Sequence, residues 1–437
     1  MQEISVIGLG YVGLPLAVQA AEKGYKVNGI DYNKELVDTI NDRRSPYVND
    51  VRFERALSRV SLSNFNATSS YENIANSDTV IICVPTPTEN NVPDLSIVSK
   101  ASEQVAEHLR EGQLIVLEST VNPGATRSDV LPTLENISGL KAGNDFSLAH
   151  CPERIDPGND RFHVGNLNRV VGGMTPACTD KATSFYKSII DAKILPLGSL
   201  EEAEFVKSWE NSHRNVMIAL ANTAAILCDS MDMNIDNVLQ GLNSKVEQFG
   251  LSLASPGIGV GGHCIPEDIH YVIRSARESG IDTRFLDSAA DLNDKMPRYA
   301  VHQLQELVAE RGNKLEDLNV ALLGLAYKPN IGDARRSPAI EVAHQLARYS
   351  NSLSMHDPFA AKTKETIIHG ARRYDTIEET LSAADVVFIG TAHDEYITEL
   401  TPDLLKRHGI KYLYDGRNCI GEQTVTSAGV IYQGVGR

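Results

Sequence analysis

Residues 4–13 read ISVIGLGYVG, a short apolar run that passes directly into the pattern G-x-G-x-x-G. The run has the composition of a buried β-strand, and residues 14–23 continue with the spacing of a helix. A second apolar run at 26–31, KVNGID, ends in Asp31. This order predicts the first strand–turn–helix–strand unit of a doubly wound α/β fold.

The glycine pattern, in this setting, predicts a dinucleotide site. Its residues are Gly8, Gly10, Tyr11, Val12 and Gly13. Glycines let the backbone approach a pyrophosphate, which then lies on the amino end of the helix. Asp31 is placed to accept hydrogen bonds from ribose hydroxyls, and its charge would repel the additional phosphate of NADP. A tight turn without a ligand is the alternative, but the strand, the helix and Asp31 together favour NAD as the cofactor.

Similar apolar runs recur in two groups, which indicates two α/β domains. They lie at 79–84, 114–120 and 146–149 in the first group and at 319–325, 352–356, 385–390 and 411–415 in the second. Between the groups, about 199–310 has an almost entirely helical pattern. We therefore predict an NAD-binding Rossmann domain at 1–198, a central helical dimerisation domain at 199–310 and a Rossmann-like α/β domain at 311–437.

The central segment begins with a helix signal. Ser199 and Glu202 are spaced as in a capping box, and the pattern predicts one helix from there to about Cys228. A long helix that joins two α/β domains is a natural contact between subunits. We expect a homodimer or a higher homo-oligomer.

The composition excludes several classes of protein. With 437 residues, 42% hydrophobic and 22% charged, the chain has the composition of a folded multidomain protein. A net charge of −16 argues against a nucleic-acid binder, which needs a basic face. No apolar run reaches the ~20 residues that cross a bilayer, and we expect no signal peptide. Six scattered cysteines without a C-x-x-C pair are typical of reduced thiols, so we expect a cytoplasmic protein without a metal site.

The segment PGIGVGGHCIPED at 256–268 carries the candidate nucleophile. Pro266 fits the first position of a helix that would end before Gly280. Cys264 would then precede the amino end of that helix, whose dipole lowers the pKa of a thiol. The preceding glycines remove side chains and would let a substrate approach. A buried cysteine beside a glycine-rich turn is the alternative, but the dipole, the glycines and nearby Asp268 favour a nucleophile.

Four further polar residues are candidates for the same chemistry. Lys207 and Asn211 are four apart and share a helix face, where they would either bind a substrate oxygen or face solvent. The spacing leaves both interpretations open. Thr120 and Glu153 follow predicted strands, at the edge where α/β sheets bind ligands, but either would equally suit an ordinary loop.

Together these motifs resemble the UDP-glucose/GDP-mannose dehydrogenase family over essentially the full length of the chain. The resemblance is carried by GLGYVGLPLA (8–17), CVPTPT (83–88), ESTVNPG (118–124), CPERIDPGN (151–159), GVGGHCIPED (259–268) and GLAYKPNIGDARRSP (324–338), with Lys207, Glu210 and Asn211 on the central helix. It implies an NAD-dependent nucleotide-sugar 6-dehydrogenase whose C-terminal domain holds the UDP. Such an enzyme oxidises a primary alcohol to a carboxylate, with two hydride transfers to NAD.

The resemblance also implies a catalytic role for each matching residue. Cys264 would be the nucleophile, forming a thiohemiacetal and then a thioester. Lys207 and Asn211 would stabilise the oxyanion that develops on the substrate.

Three further positions would serve the hydrolysis that follows. Asp268 and Thr120 would position a water or proton carrier, and Glu153 would be the general base. Further cofactor contacts are implied at Pro85, Thr86, Thr120 and Arg335. Substrate contacts are implied at Glu153, Arg154, Lys207, Asn211, Arg214, Phe249, Gly250, Gly261 and Lys328.

The motifs also bear on the sugar. GGHCIP and PERIDPGN resemble the branch of the family that acts on UDP-N-acetylhexosamines. PER-x-DPG and Phe249-Gly250 favour UDP-N-acetylglucosamine over UDP-N-acetylmannosamine, with UDP-glucose as a further alternative. A catalytically inactive nucleotide-sugar-binding regulator is an alternative of another class, against which the intact set of catalytic residues argues. A two-domain hydroxyacid dehydrogenase would need neither a nucleophilic cysteine nor a UDP domain.

Overall fold

The computed structural model describes residues 2–46, 51–61, 63–89, 92–155, 161, 163–249, 253–262 and 264–437. By its internal contacts the chain forms two compact units, Met1–Glu210 with His270–Ser279 and Asn211–Ile269 with Gly280–Arg437. The division into three domains at 198/199 and 310/311 stays a prediction.

The first unit contains a predominantly parallel sheet. Its strands are β1 (Glu3–Ile7), β2 (Lys26–Ile30), β3 (Phe65–Thr68), β4 (Thr79–Ile82), β5 (Thr88–Glu89), β6 (Val92–Pro93), β7 (Leu114–Leu117), β8 (Ser147–His150), β9 (Arg169–Gly173) and β10 (Ile194–Pro196). β5 and β6 pair with each other, and the others form one sheet in the order β10-β9-β8-β7-β4-β1-β2-β3. Neighbouring strands of this sheet are parallel, except that β9 is antiparallel to β8.

Both faces of this sheet are covered, which explains the uninterrupted apolar runs. On β1, Ile4 and Val6 belong to one buried cluster and Ile7 to another, because successive side chains point to opposite faces. The helices of this unit are α1 (Gly13–Glu22), α2 (Lys34–Asn41), α3 (Val51–Arg59), α4 (Ser96–His108), α5 (Leu131–Ser138) and α6 (Pro176–Ile189).

Helix α7 (Leu200–Ser230) is 31 residues long, and its residues are divided between the two units after Glu210. Ser199 caps it as predicted, since its hydroxyl accepts the N–H of Glu202 at 3.2 Å. The carboxylate of Glu202 accepts the N–H of Gly198 at 2.6 Å, so the reciprocal bond of the capping box is shifted by one residue.

Glu204 on α7 is a buried carboxylate that fixes the loop after β7. It accepts the N–H groups of Gly124 and Thr126 at 2.5 and 2.8 Å. Burial raises the pKa of Glu204 to about 7, although these hydrogen bonds oppose the shift.

The second unit combines helices with a second parallel sheet. Its elements are α8 (Ile235–Phe249), α9 (Ile265–Glu278), α10 (Arg284–Ala309), β11 (Asn319–Leu323), α11 (Pro338–Tyr349), β12 (Ser352–His356), β13 (Ala371–Arg373), α12 (Ile377–Leu381), β14 (Val386–Ile389), α13 (Asp394–Glu399), α14 (Pro402–Arg407), β15 (Tyr412–Asp415), α15 (Glu422–Thr426) and β16 (Ile431–Gly434), with α9 belonging to the first unit from His270 onward. The sheet has the order β13-β12-β11-β14-β15-β16, with parallel neighbours throughout. This order matches β3-β2-β1-β4-β7-β8 in the first unit, the arrangement of a doubly wound dinucleotide fold.

The predicted fold class is confirmed, with some differences at element ends. The sequence predicts a strand to Thr120, but β7 ends at Leu117, where the chain bends and the Ser119 hydroxyl donates to the carbonyl of Val84 at 2.8 Å. Helix α9 begins at Ile265, one residue before the predicted Pro266. None of the helices in the described ranges is both long and apolar enough to cross a membrane.

Candidate active site

The three glycines of the turn after β1 differ in their surroundings. Gly8 has a φ of +89°, and a Cβ there would lie 2.5 Å from the carbonyl oxygen of Cys83. A Cβ on Gly13 would lie 2.0 Å from the carbonyl oxygen of Gly8, whereas one on Gly10 would meet nothing within 4 Å. Gly8 and Gly13 are therefore required by packing, and Gly10 borders open space of the kind that a pyrophosphate would occupy.

Asp31 follows β2 directly, and its carboxylate is held in place. One oxygen accepts the N–H of Leu9 at 2.8 Å and the other that of Asn33 at 2.9 Å. Each oxygen keeps a lone pair for a ribose hydroxyl. Helix α1 begins just after the half-buried Val12, and the Tyr11 ring beside it is exposed. This arrangement fits NAD, with the pyrophosphate at the helix end and the ribose at the carboxylate.

The other predicted cofactor residues of this unit follow the neighbouring strands. Pro85 and Thr86 follow β4, which pairs with β1, and Thr120 lies beyond β7, which pairs with β4. Carboxyl ends of parallel strands lie at one edge, so the sheet brings these residues to the edge of the glycine turn. Arg335 belongs to the other unit, where its guanidinium pairs with Asp333 at 2.6 Å.

Glu153, beyond the end of β8, is a buried and paired carboxylate. One of its oxygens accepts the N–H of Ile155, and the other lies 3.1 Å from Nη2 of Arg169. Nη1 of Arg169 lies 3.1 Å from Glu118. Neither Arg169 nor Glu118 is among the site residues predicted from the sequence, because no local pattern marks partners that come from neighbouring strands.

Arg154 and Lys207, both predicted substrate contacts, have contrasting surroundings. Arg154 pairs with Glu210 through Nε at 2.9 Å and donates to the carbonyl of Asn168 at 3.1 Å. Lys207 is 9% exposed, and among the described residues its ammonium has no hydrogen-bond or ion-pair partner. A buried cation without a partner is costly, so Lys207 is a group that an oxygen of a ligand would complete.

Cys264 lies at the amino end of α9, as predicted. Its carbonyl accepts the N–H groups of Glu267 at 3.0 Å and Asp268 at 2.8 Å, which makes Cys264 the N-cap residue. Its side chain is half-buried. The carboxylate of Glu267 is paired with Nε of Arg336 at 3.3 Å. The helix dipole therefore acts on a thiol that a substrate could reach, the setting in which a thiolate is stabilised.

Asp268 and Asn211 form a buried pair in the second unit. Nδ2 of Asn211 donates to Oδ2 of Asp268 at 2.6 Å, with the two residues 6% and 4% exposed. This bond uses one of the two amide N–H groups of Asn211 and leaves the other for a ligand. Lys207 is buried on the same helix, so the interpretation of this face as solvated is wrong.

The glycine run before Cys264 is tightly packed. A Cβ on Gly261 would lie 2.6 Å from Cβ of Tyr327 and 2.7 Å from Cδ of Pro338. Gly259 has a φ of +113°, and a Cβ there would lie 2.7 Å from a carbonyl oxygen of α10. The expectation that these glycines clear space for a substrate is wrong at both positions, because protein atoms fill that space. Gly261 can contact a substrate only through its backbone.

The remaining predicted substrate residues are scattered over the second unit. Lys328 is half-buried in the loop after β11, and Arg214 is exposed on α7. Phe249 ends α8. The side chain of Phe249 and the whole of Gly250 lie outside the described residues.

Arg417, after β15, is a buried cation at the carboxyl edge of the second sheet. Its Nε donates to the carbonyl of Gly390 at 2.9 Å, whereas its buried Nη2 has no partner in the described part of the chain. Burial lowers the pKa of Arg417 to about 10. Such a cation suits a phosphate or carbonyl oxygen of a nucleotide, and no spacing in the sequence reveals it.

The turn after β11 repeats the geometry of the turn after β1. Gly324 has a φ of +93°, and the next two N–H groups donate to Oδ2 of Asp357 at 2.7 and 2.9 Å. Asp357 follows β12, the counterpart of β2. Here Ala326 takes the place of Gly10, and Nε2 of His393 lies against the carboxylate at 3.2 Å.

Comparisons with known proteins agree with this geometry. The NAD-binding, central and UDP-binding domains of the UDP-glucose/GDP-mannose dehydrogenase family match residues 2–190, 201–295 and 321–422. The chain is 34% identical to UDP-N-acetyl-D-mannosamine dehydrogenase of Pyrococcus horikoshii over 99% of both chains. It is 32% identical to UDP-N-acetyl-D-glucosamine 6-dehydrogenase of Pseudomonas aeruginosa over 90% of this chain and 91% of the other. A solved structure of UDP-D-ManNAc dehydrogenase from Pyrococcus horikoshii has a TM-score of 0.90, with 100% of this chain and 99% of that chain covered at 34% identity.

The fold and the glycine turn are those of a dinucleotide-binding protein. The chain belongs to the UDP-glucose/GDP-mannose dehydrogenase family, a family of NAD-dependent nucleotide-sugar dehydrogenases. The predicted family, enzyme class and cofactor are confirmed. The roles of individual site residues stay predictions.

Proposed function

We propose that this chain oxidises the C6 alcohol of a UDP-N-acetylhexosamine to a carboxylate, with UDP-N-acetylglucosamine as its substrate. The observation that carries the proposal is Cys264, half-buried at the amino end of α9 with the Asn211–Asp268 pair at the first turn of that helix. A dehydrogenase that releases an aldehyde needs no nucleophile, whereas oxidation to the acid benefits from a covalent thioester. UDP-N-acetylmannosamine and UDP-glucose are the alternative sugars.

Cys264 allows two oxidations of one carbon. NAD, when bound, accepts the hydride in each oxidation. The thiolate of Cys264 adds to the carbonyl carbon of the aldehyde, so that a C–S bond forms and the oxygen, once protonated, becomes the hydroxyl of a thiohemiacetal. Loss of the remaining hydride from that carbon and of the proton from that hydroxyl leaves a thioester.

Lys207 and Asn211 supply donors for the oxygen on the reacting carbon. The ammonium of Lys207 has no partner among the described residues, and Asn211 has one amide N–H to spare beside its bond to Asp268. Both side chains are buried. Donors that are already fixed and shielded from water stabilise an oxyanion most effectively.

Hydrolysis of the thioester is the proposed role of Glu153, with Thr120 and Asp268 positioning the water. Glu153 takes a proton from the water as the water oxygen bonds to the thioester carbon. Collapse of the adduct breaks the C–S bond, and its electron pair returns to the sulfur of Cys264. The pairing of Glu153 with Arg169 at 3.1 Å supports this role, because it holds the carboxylate in one orientation.

Recognition of the nucleotide sugar requires local positive charge on a chain whose net charge is −16. Lys328 and Arg417 are the proposed contacts of the UDP, Arg335 that of the cofactor, and Arg154 and Arg214 further substrate contacts. Phe249, Gly250 and the backbone of Gly261 complete the proposed sugar site. The relatives above are named for both the mannosamine and the glucosamine sugar, so the choice between these sugars rests on the PER-x-DPG and Phe249-Gly250 motifs.

We further propose that the chain acts as a homodimer or higher homo-oligomer in the cytoplasm. Leu220 and Leu227 share one face of α7, which Met231 follows directly, and the three are 61%, 53% and 63% exposed. Trp209, earlier on α7, is 47% exposed. Exposed apolar side chains of this kind support a contact with another protein surface. None of the six cysteines, all of which lie in the described ranges, forms a disulfide, which suits a reducing compartment.

The test is to screen UDP-N-acetylglucosamine, UDP-N-acetylmannosamine and UDP-glucose for NADH formation and to measure NADH per acid formed. The ratio should be two. Cys264→Ala should lose acid formation, and Cys264→Ser should stall with a covalent sugar adduct detectable by mass spectrometry, because serine is the weaker nucleophile.

Cys419→Ala is the matched control. Cys419 is the other half-buried thiol, and burial together with Asp415 raises its pKa, so its removal should leave turnover unchanged. Acid formation by Cys264→Ala at the normal rate would refute covalent catalysis. Absence of NADH with all three sugars would instead favour a nucleotide-sugar-binding regulator.

A further inference from the structure

Arg169, the first residue of β9, is buried between two carboxylates. Its side chain is 2% exposed, with Nη1 3.1 Å from Oε2 of Glu118 and Nη2 3.1 Å from Oε2 of Glu153. Glu118 follows β7 and Glu153 lies beyond β8. One guanidinium therefore joins the loops after two neighbouring strands of the first sheet.

Further buried groups face this cluster from α6 and from the ends of β4 and β8. The hydroxyl of Tyr186 donates to Glu118, and its ring centre lies 5.5 Å from the guanidinium carbon of Arg169. The sulfur of Cys151 lies 3.9 Å from Nη1 of Arg169, and that of Cys83 lies 3.9 Å from Oε2 of Glu118. These neighbours hold the inner side of the cluster.

The outer side of the cluster is Glu153. Its side chain is 10% exposed, against 0% for Glu118 and 2% for Arg169. The N–H of Ile155 fixes one of its oxygens and Arg169 the other. The direction in which Glu153 can accept a proton is therefore set by Arg169.

We propose that Arg169 is a positioning residue for Glu153, and that Glu118 serves as the second carboxylate partner of Arg169. The inference rests on the proposed function of Glu153 as the base of thioester hydrolysis. Arg169 and Glu118 are too buried to contact a ligand, at 2% and 0% exposed, but the hydrolytic step depends on both.

The need for two carboxylates follows from the proton transfer. As the water oxygen bonds to the thioester carbon, Glu153 takes the proton of the water and becomes neutral. With Glu153 as its sole counter-charge, the guanidinium would then be a buried, unpaired cation, which is strongly unfavourable. Glu118, 3.1 Å from Nη1, keeps Arg169 paired while the C–S bond breaks and its electron pair moves to the sulfur of Cys264.

Glu118 also affects Glu153 through its own charge. Burial raises the pKa of Glu118 against the opposing effect of Arg169, and the charge of Glu153 raises it further. The two carboxylates therefore compete for one guanidinium. Removing the charge of Glu118 should leave Glu153 as the one carboxylate that Arg169 pairs with, and move the acidic limb of kcat to lower pH.

Two variants test the inference, with the sugar that gives NADH in the screen as substrate. Arg169→Lys keeps the charge but cannot bridge two carboxylates with a planar fork. Glu118→Gln keeps the shape and removes the counter-charge. Glu153→Gln is the reference for a lost base. Arg127→Lys is the control, since Arg127 forms an ion pair with Glu201, at 2.5 Å, instead of with a carboxylate of this cluster.

Arg169→Lys should keep the initial burst of NADH and the KM for the sugar, and lower the steady-state kcat ~10- to 100-fold, with a thioester adduct accumulating. Glu118→Gln should show the shifted pH profile, and Arg127→Lys should behave as the unmodified protein. In Arg169→Lys, equal losses of the NADH burst and of kcat, or a raised KM for the sugar, would overturn the inference. An unshifted pH profile of kcat in Glu118→Gln would also overturn it. An unimpaired Glu153→Gln would instead overturn the proposed role of Glu153, which separates the two failures.

Discussion

Replacing Gly10 by alanine should weaken NAD binding without unfolding the protein. A Cβ at Gly10 meets no protein atom within 4 Å, and its φ lies outside the left-handed region. Alanine also restricts the unfolded chain more than glycine does. The free energy of unfolding should therefore stay equal or rise by up to ~1 kcal/mol.

The same methyl group occupies the space through which a pyrophosphate approaches the backbone. If it breaks two hydrogen bonds between a phosphate and backbone N–H groups, each worth ~1.5–2 kcal/mol, the binding free energy falls by about 3–4 kcal/mol. That loss corresponds to a rise of ~10²- to 10³-fold in the KM for NAD. The KM for the UDP-sugar should change little, because the substitution lies in the cofactor turn.

Gly13→Ala is the matched comparison in the same turn. Its Cβ would lie 2.0 Å from the carbonyl oxygen of Gly8 and 3.1 Å from Cβ of Cys83, so the free energy of unfolding should fall by ~1–3 kcal/mol or more. Urea unfolding and NAD titration of both variants measure the two effects. An unchanged KM for NAD in Gly10→Ala would refute the assignment of that space to the pyrophosphate. Equal destabilisation of both variants would refute the packing argument.

Three further outcomes are expected. Asp31→Ala should narrow the preference for NAD over NADP, measured as kcat/KM with NAD divided by kcat/KM with NADP. Equal kcat/KM values with the two cofactors in the unmodified protein would contradict the role of Asp31. Lys207→Met or Asn211→Ala should lower kcat ~10²- to 10³-fold at little changed sugar KM, and a variant altered only in thermal stability would exclude an oxyanion role. The pKa of Glu204 rises from 4.5 to about 7 on folding, so the folded state binds its proton more tightly and stability should fall as pH rises through that window. Glu204→Gln should remove this pH-dependent fall of about 3 kcal/mol in the free energy of unfolding, measured by urea unfolding. A free energy of unfolding that does not change with pH in the unmodified protein would contradict the prediction.

The cofactor turn could be predicted from the sequence because its determinants are local. Gly8 and Gly13 meet atoms of the same turn and of the adjacent strand, and Asp31 bonds the backbone of that turn. The N-cap position of Cys264 is likewise fixed by the next four residues. Short-range hydrogen bonds and helix signals decide such features, so spacing alone reveals them.

The ion-paired cluster could not be predicted, because it depends on which strands are neighbours. Arg169 meets Glu118 and Glu153 only because β9 lies antiparallel beside β8 at the edge of an otherwise parallel run. The packing of Gly261 against Tyr327 is also a contact between distant segments. Apolar periodicity predicts that strands are buried but does not say which polar side chains they bring together.

In the described part of the chain, the turn after β11 keeps the glycine and the aspartate of a dinucleotide site, but Ala326 and His393 occupy its opening. The proposed cofactor site is the turn after β1. Under the proposed function each sugar is oxidised twice, so NADH must leave this site and a second NAD must bind between the two oxidations. The bond to Cys264 holds the sugar throughout that exchange, and acts as a tether that prevents escape of a reactive aldehyde.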